Sequence, residues 1–191
     1  MQHLNKILTD YKKLHLLYNA GAVFTAFDTE TTGVSPSDSR IIEIGAVTFN
    51  KDGIISSWEH LFNPGFPIPP FITQLTHITD SMVMECPDIK VLLPEFKNYI
   101  SDNILIAHNA QFDLNFINSE LERADIAPAR NKTIDTLRYS KWVYPYLPRH
   151  KLDFLADYLQ INKGTSHRAM DDALTCMNLF IKICDRFNNR L

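Results

Sequence analysis

Apolar residues recur along this chain in two rhythms. At the start, Leu4, Ile7, Leu8, Tyr11, Leu14, Leu17 and Tyr18 fall at helical spacing, which predicts an amphipathic helix over 4–18 ended by Gly21. This marks residues 1–20 as an N-terminal extension ahead of a main domain over 21–191, with the apolar stripe expected to dock on that domain. The run AVFTAFDTE then reads as a buried strand whose end carries acids, and TTGVSPSDS as a loop. RIIEIGAVTFN and GIISSWEHLFN read as two strands joined by the turn Asn50-Lys51-Asp52-Gly53. The proline-rich NPGFPIPP is irregular; ITQLTHITDSM and Asp88–Ile100 read as helices. NILIAHN is a further buried strand, FDLNFINSELERA a helix and KTIDTL a short strand. Leu152–Leu159 and Ala169–Phe187 read as the last two helices. A hairpin followed by alternating helices and short strands predicts an α/β layered domain with a mixed sheet.

Composition narrows the classes. The chain has 191 residues, 45% hydrophobic and 21% charged, enough for one full core without a structural metal or disulfide. There is no apolar run of transmembrane length, and the early lysines break any secretory signal. Three cysteines without a C-x-x-C pair argue against a disulfide framework and fit a reducing, cytoplasmic setting. With 19 basic and 22 acidic side chains the net charge is −3, so a general electrostatic coat for nucleic acid is not expected, although a local basic groove is compatible with it.

Several acids sit where apolar residues are expected. Asp28 and Glu30 end an apolar strand, two residues apart and pointing the same way, with α-carbons roughly 6.5–7 Å apart. Such carboxylates repel, and burial adds a desolvation cost that a hard divalent cation, Mg²⁺ or Mn²⁺, offsets. Asp113, in the first turn of the helix after NILIAHN, borders the seam of Phe116 and Ile117, while Asn115, Asn118, Ser119 and Glu122 mark its wet face. In the final helix Asp172 shares a face with Ala169, Cys176 and Leu179, whereas Asp171 shares one with Thr175, Asn178 and Lys182. Asp172 is therefore expected to turn inward and Asp171 toward water, so that Asp172→Ala abolishes any chemistry and Asp171→Ala spares it. His167 lies just before this helix in a Gly-containing loop, and an imidazole there suits a general base near neutrality. The stretch RYSKWVYPYLPRHK could stack a base and contact a phosphate, or be ordinary packing.

Taken in order, F-D-T-E-T-T-G, A-H-N-A-Q-F-D and H-R-A-M-D-D-A resemble the three motifs of the DEDDh (DnaQ-like) 3′–5′ exonucleases. The resemblance runs from about Val23 to Phe187 and implies a ribonuclease-H-like fold: a five-stranded mixed sheet between helices, its second strand antiparallel. It places the four family carboxylates on Asp28, Glu30, Asp113 and Asp172 and the family histidine on His167, five residues before the last acid. The alternative subclass requires a tyrosine where Arg168 stands. Thr31, His108, Asn109 and Phe112 fall on positions that contact the substrate, and Ile78 on a segment packing near the terminal base, with His77-Ile78 in place of the usual His-Gly-Ile.

The implied chemistry is hydrolysis of a phosphodiester at a 3′ end, releasing 5′-mononucleotides, with two metal ions about 3.5–4 Å apart. Asp28 bridges both, Glu30 and Asp172 complete the site of the nucleophilic water, Asp113 holds the second ion, and His167 takes the water's proton. The D-T-E-T-T-G wording favours single-stranded or frayed DNA, as in proofreading or repair, over trimming of RNA 3′ ends, and leaves open both a stand-alone exonuclease and a proofreading subunit partnered with a DNA polymerase. Two rivals stand beside this. Haloacid-dehalogenase phosphatases carry D-x-D where this chain has Glu30 as the second acid, and an exonuclease fold without chemistry would be a nucleic-acid-binding module.

Overall fold

The computed structural model describes residues 6–188. Five strands form one sheet: β1 (Phe24–Thr31), β2 (Ile41–Asn50), β3 (Gly53–Leu61), β4 (Ile104–Ala107) and β5 (Thr133–Asp135), in spatial order β3-β2-β1-β4-β5. β2 is antiparallel to both β1 and β3, whereas β4 and β5 run parallel to β1. This is the mixed sheet the family resemblance implies. Among the described residues eight helices accompany it: α1 (Tyr11–Asn19), α2 (Pro70–Thr76), α3 (Asp80–Val83), α4 (Ile89–Ile100), α5 (Gln111–Arg123), α6 (Thr136–Val143), α7 (Leu152–Tyr158) and α8 (Ala169–Asn188).

Strand alternation sorts the core into two layers. Phe24 and Ala26 of β1 and Val47 and Phe49 of β2 point to the side covered by α8, where they pack with Phe180 and, from α1, Leu14 and Tyr18. Phe27, Ile44 and Ala46 point to the other side, against Phe96 of α4 and Phe116 of α5. A small satellite cluster of Ile42, Ile68, Ile72, Ile78 and Val83 anchors α2 and α3.

Three local predictions need correction. Of the helix expected over 4–18, residues 4 and 5 lie outside the described residues, and 6–10 are not helical. Leu8 N–H donates to the Thr133 carbonyl and Thr133 N–H to the Lys6 carbonyl, so this stretch covers the otherwise unpaired edge of β5, and the helix begins at Tyr11. The helix expected over ITQLTHITDSM is two, because His77 takes a left-handed conformation (φ 59°) and ends α2. Finally, the basic-aromatic stretch over 138–151 begins inside α6. Its inner face is Thr136, Tyr139, Ser140 and Val143, and two hydroxyl residues on that face hide the helical periodicity. Tyr139 and Tyr144 are buried, so those two rings serve packing, whereas Trp142 is 41% exposed, stacks on Phe187 and lies tilted against Tyr11.

Candidate active site

β1 delivers two acids because its register alternates. Asp28 and Glu30 share the α8-facing side with Phe24 and Ala26, at the C-terminal end of the strand. A bulge follows: Glu30 pairs with Glu43, but Thr31 pairs with Ile41. Such an irregularity ends regular pairing and re-aims the chain next to the site. Thr29, on the opposite side, donates both its N–H (3.1 Å) and its hydroxyl (2.8 Å) to Asp113 Oδ1. These two hydrogen bonds across two elements fix the first turn of α5 against the end of β1.

α8 supplies the rest. Gly45 of β2 lies directly beneath its first turn, where a Cβ would overlap the backbone of Ala169 and Met170. The preceding loop turns at His167, which has φ 62°, and His167 N–H donates to Asp172 Oδ2 at 3.0 Å. Glu30, His167 and Asp172 each offer a ligand atom, all within 4.8 Å of one another. Asp28, Glu30, Asp113, Asp172 and His167 all line one cleft of about 300 Å³. A larger depression of about 1190 Å³ at the N-terminal end of β4 holds Asp102 and none of the candidate residues.

The site is electrostatically uncomfortable without a cation. Desolvation first, then the charges of Asp113 and Glu30, push Asp28 well above the usual carboxylate range. Burial, then Asp172 and Glu43, raise Glu30 to about 8. Burial raises Asp113 to about 7 against the opposing hydrogen bonds from Thr29. Asp172 is raised to about 6 by burial, opposed by His167. An all-oxygen set with an adjacent imidazole, each acid held above its ordinary value, fits hard divalent cations.

The remaining sequence-predicted residues divide. Thr31, Asn109 and Phe112 line the cleft, as does His108. Both ring nitrogens of His108 are engaged, Nδ1 with Thr136 Oγ1 (3.0 Å) and Nε2 with the His150 carbonyl (2.8 Å), so it braces the wall. Ile78 does not reach the cleft; it is fully buried in the satellite cluster, and Ile72, Leu75 and Thr76 of α2 form that wall instead. Asn118, expected on the wet face of α5, is buried and accepts the Ala129 N–H. Asp171 is not a free surface acid either: its Oδ2 accepts Thr165 N–H at 2.7 Å, and its carboxyl packs over Gly164.

Sequence reasoning missed three supports. Thr29 holds Asp113. Asp135 caps α6 through Leu137 N–H and also accepts Asn109 N–H. Glu43, wholly buried in β2, ion-pairs with Arg168. Glu43 could have been found as the one acid inside the apolar run RIIEIGAV.

Comparison with known proteins gives the same direction. The family profile RNase_T, described as exonuclease, matches residues 25–180. The chain is similar to the DNA polymerase III subunit epsilon of Treponema pallidum (strain Nichols): 43% identical over 159 residues, 82% of this chain and 74% of the relative. It is 40% identical over 163 residues to the DNA polymerase III PolC-type of Caldanaerobacter subterraneus subsp. tengcongensis, spanning 85% of this chain but 12% of that protein. Among solved structures it resembles Exonuclease X in complex with 5′ overhanging duplex DNA, with TM-score 0.70, 25% identity, and 86% and 93% of the two chains covered. E. coli Exonuclease I bound to a dT13 oligonucleotide shares the fold, with TM-score 0.75 at 18% identity, over 88% of this chain and 43% of that one.

Proposed function

The chain belongs to the RNase_T exonuclease family, and on that premise we propose that it is a 3′–5′ exonuclease that removes 5′-mononucleotides from the 3′ end of single-stranded or frayed DNA. The observation that carries this reading is the meeting of Asp28, Glu30, Asp113, Asp172 and His167 in one cleft. The complete acid set also argues against a catalytically silent binding module, and family membership sets the phosphatase rival aside.

Asp28, Glu30, Asp113 and Asp172 would hold two divalent cations, Mg²⁺ or Mn²⁺, which supply neutralisation of the phosphodiester and acidification of a bound water. The protein's own residues do the rest. Asp28 feels the charges of both Asp113 and Glu30 and would serve both ions; Glu30 and Asp172 adjoin His167 and would serve the water's side. His167 accepts the proton of the attacking water, its backbone tethered to Asp172 so that base and ligand move together. The bond broken is between phosphorus and the 3′ oxygen of the penultimate nucleotide, so the product carries a 5′ phosphate. Thr31 and Asn109 offer polar atoms, and Phe112 a ring face, along the cleft where the terminal nucleotide would lie. The polymerase names of the relatives support a role in proofreading beside a DNA polymerase.

One gel tests this reading. A 5′-labelled single-stranded deoxyoligonucleotide with Mg²⁺ should shorten one nucleotide at a time, stop with EDTA, and outpace a matched RNA. Internal cuts, or unchanged cleavage in EDTA, would contradict it; faster loss of the RNA would place the chain with RNA 3′-end trimming.

A further inference from the structure

One buried charge has no part in the mechanism so far. Glu43 lies on β2 directly opposite Glu30, facing α8, with its side chain sealed from solvent. A fifth carboxylate beside four others is costly unless it is fully paired. It is: Arg168 donates Nε to both carboxyl oxygens (3.1 and 3.2 Å) and Nη2 to Oε1 (2.7 Å), while Ala169 N–H donates to Oε2 at 2.8 Å. One carboxylate thus grips the residue after His167 and caps the first free N–H of α8. The floor under this grip is Gly45, which lets the helix start lie on the strand.

Resting on the exonuclease reading above, we propose that Glu43 and Arg168 are a positioning pair that locks the His167 turn and the first turn of α8 onto β2, setting His167 and Asp172 against Glu30. The geometry favours this over a phosphate-binding arginine, because the guanidinium is turned onto Glu43 through three hydrogen bonds and its side chain is only 30% exposed. His167 has a left-handed backbone, a conformation a non-glycine residue holds only when neighbouring contacts impose it. The clamp on one side and Asp172 on the other are those contacts.

The test uses the full chain, a single-stranded deoxyoligonucleotide and Mg²⁺. The variants are Glu43→Gln, Arg168→Lys and the double, each first confirmed folded by its thermal melt, with Asp28→Asn as the inactive control. Arg168→Lys keeps the charge and loses the two-pronged grip. Each single variant should lower kcat by about 10–100-fold with KM unchanged, and the double should be no worse than the poorer single. A raised KM with intact kcat in Arg168→Lys would overturn the proposal and make Arg168 a substrate contact. Wild-type kcat in both singles, or effects that multiply in the double, would overturn it as well. Failure of the exonuclease reading would look different: the wild-type chain itself would leave the oligonucleotide intact.

Discussion

Asp171 and Asp172 are neighbours with different work. Asp172 lines the cleft and receives the His167 N–H; Asp171 receives Thr165 N–H and packs on Gly164 outside it. Asp172→Ala should therefore abolish hydrolysis. Asp171→Ala should slow it by about tenfold, through a loosened His167 loop, rather than spare it. Steady-state rates on one labelled oligonucleotide separate these outcomes; equal loss in both variants would refute the assignment. His167→Ala should lower kcat by about 10²–10⁴-fold, the range expected for a lost general base, with the fold intact by circular dichroism. Glu30 is held at about 8 by burial and by Asp172 and Glu43, so it strains the metal-free protein. Glu30→Gln should end activity yet raise metal-free stability by about 0.5–2 kcal/mol, read as a higher Tm.

At the scale of elements, β1 and β2 were legible as near-continuous apolar runs buried on both faces, and the long helices because each buries one apolar stripe. What escaped was written in polar atoms. α6 turns Thr136 and Ser140 inward, where their hydroxyls bind the Ala107 carbonyl and the His150 ring, and a periodicity of apolar residues cannot register them. Residues 6–8 carry helical spacing, yet the exposed edge of β5 competes for their backbone and wins. The five candidate residues could be named because three motifs, each modest alone, follow one another in order, the first of them two acids that end an apolar run. Glu43 stood inside such a run in the same way, but its partner Arg168 lies 125 residues away, and only the fold joins them. The close approach of β2 to α8 is itself testable: Gly45→Ala should displace the start of α8 and cost both Tm and kcat, because the added methyl meets the backbone of Ala169 and Met170.

For the molecule as a whole, four raised carboxylates couple stability to pH and to metal. In the metal-free folded state Asp172 at about 6, Asp113 at about 7 and Glu30 at about 8 keep protons that the unfolded chain has released above its ordinary carboxylate range. The folded state thus binds more protons than the unfolded state in that window, and stability must fall as pH rises. Metal-free Tm should decline between about pH 5 and pH 8, and added Mn²⁺ should raise Tm more at pH 8 than at pH 5, since cations and protons compete for the same oxygens. Scanning calorimetry at several pH values, with and without EDTA, checks both directions.

The most direct measurement is a calorimetric titration of the metal-free chain with Mn²⁺ at pH 8, beside Asp28→Asn. The convergence of Asp28, Glu30, Asp113 and Asp172 predicts two ions bound per chain and a collapse of that binding in the variant. No saturable binding by the wild-type chain, or the same isotherm in Asp28→Asn, would contradict it.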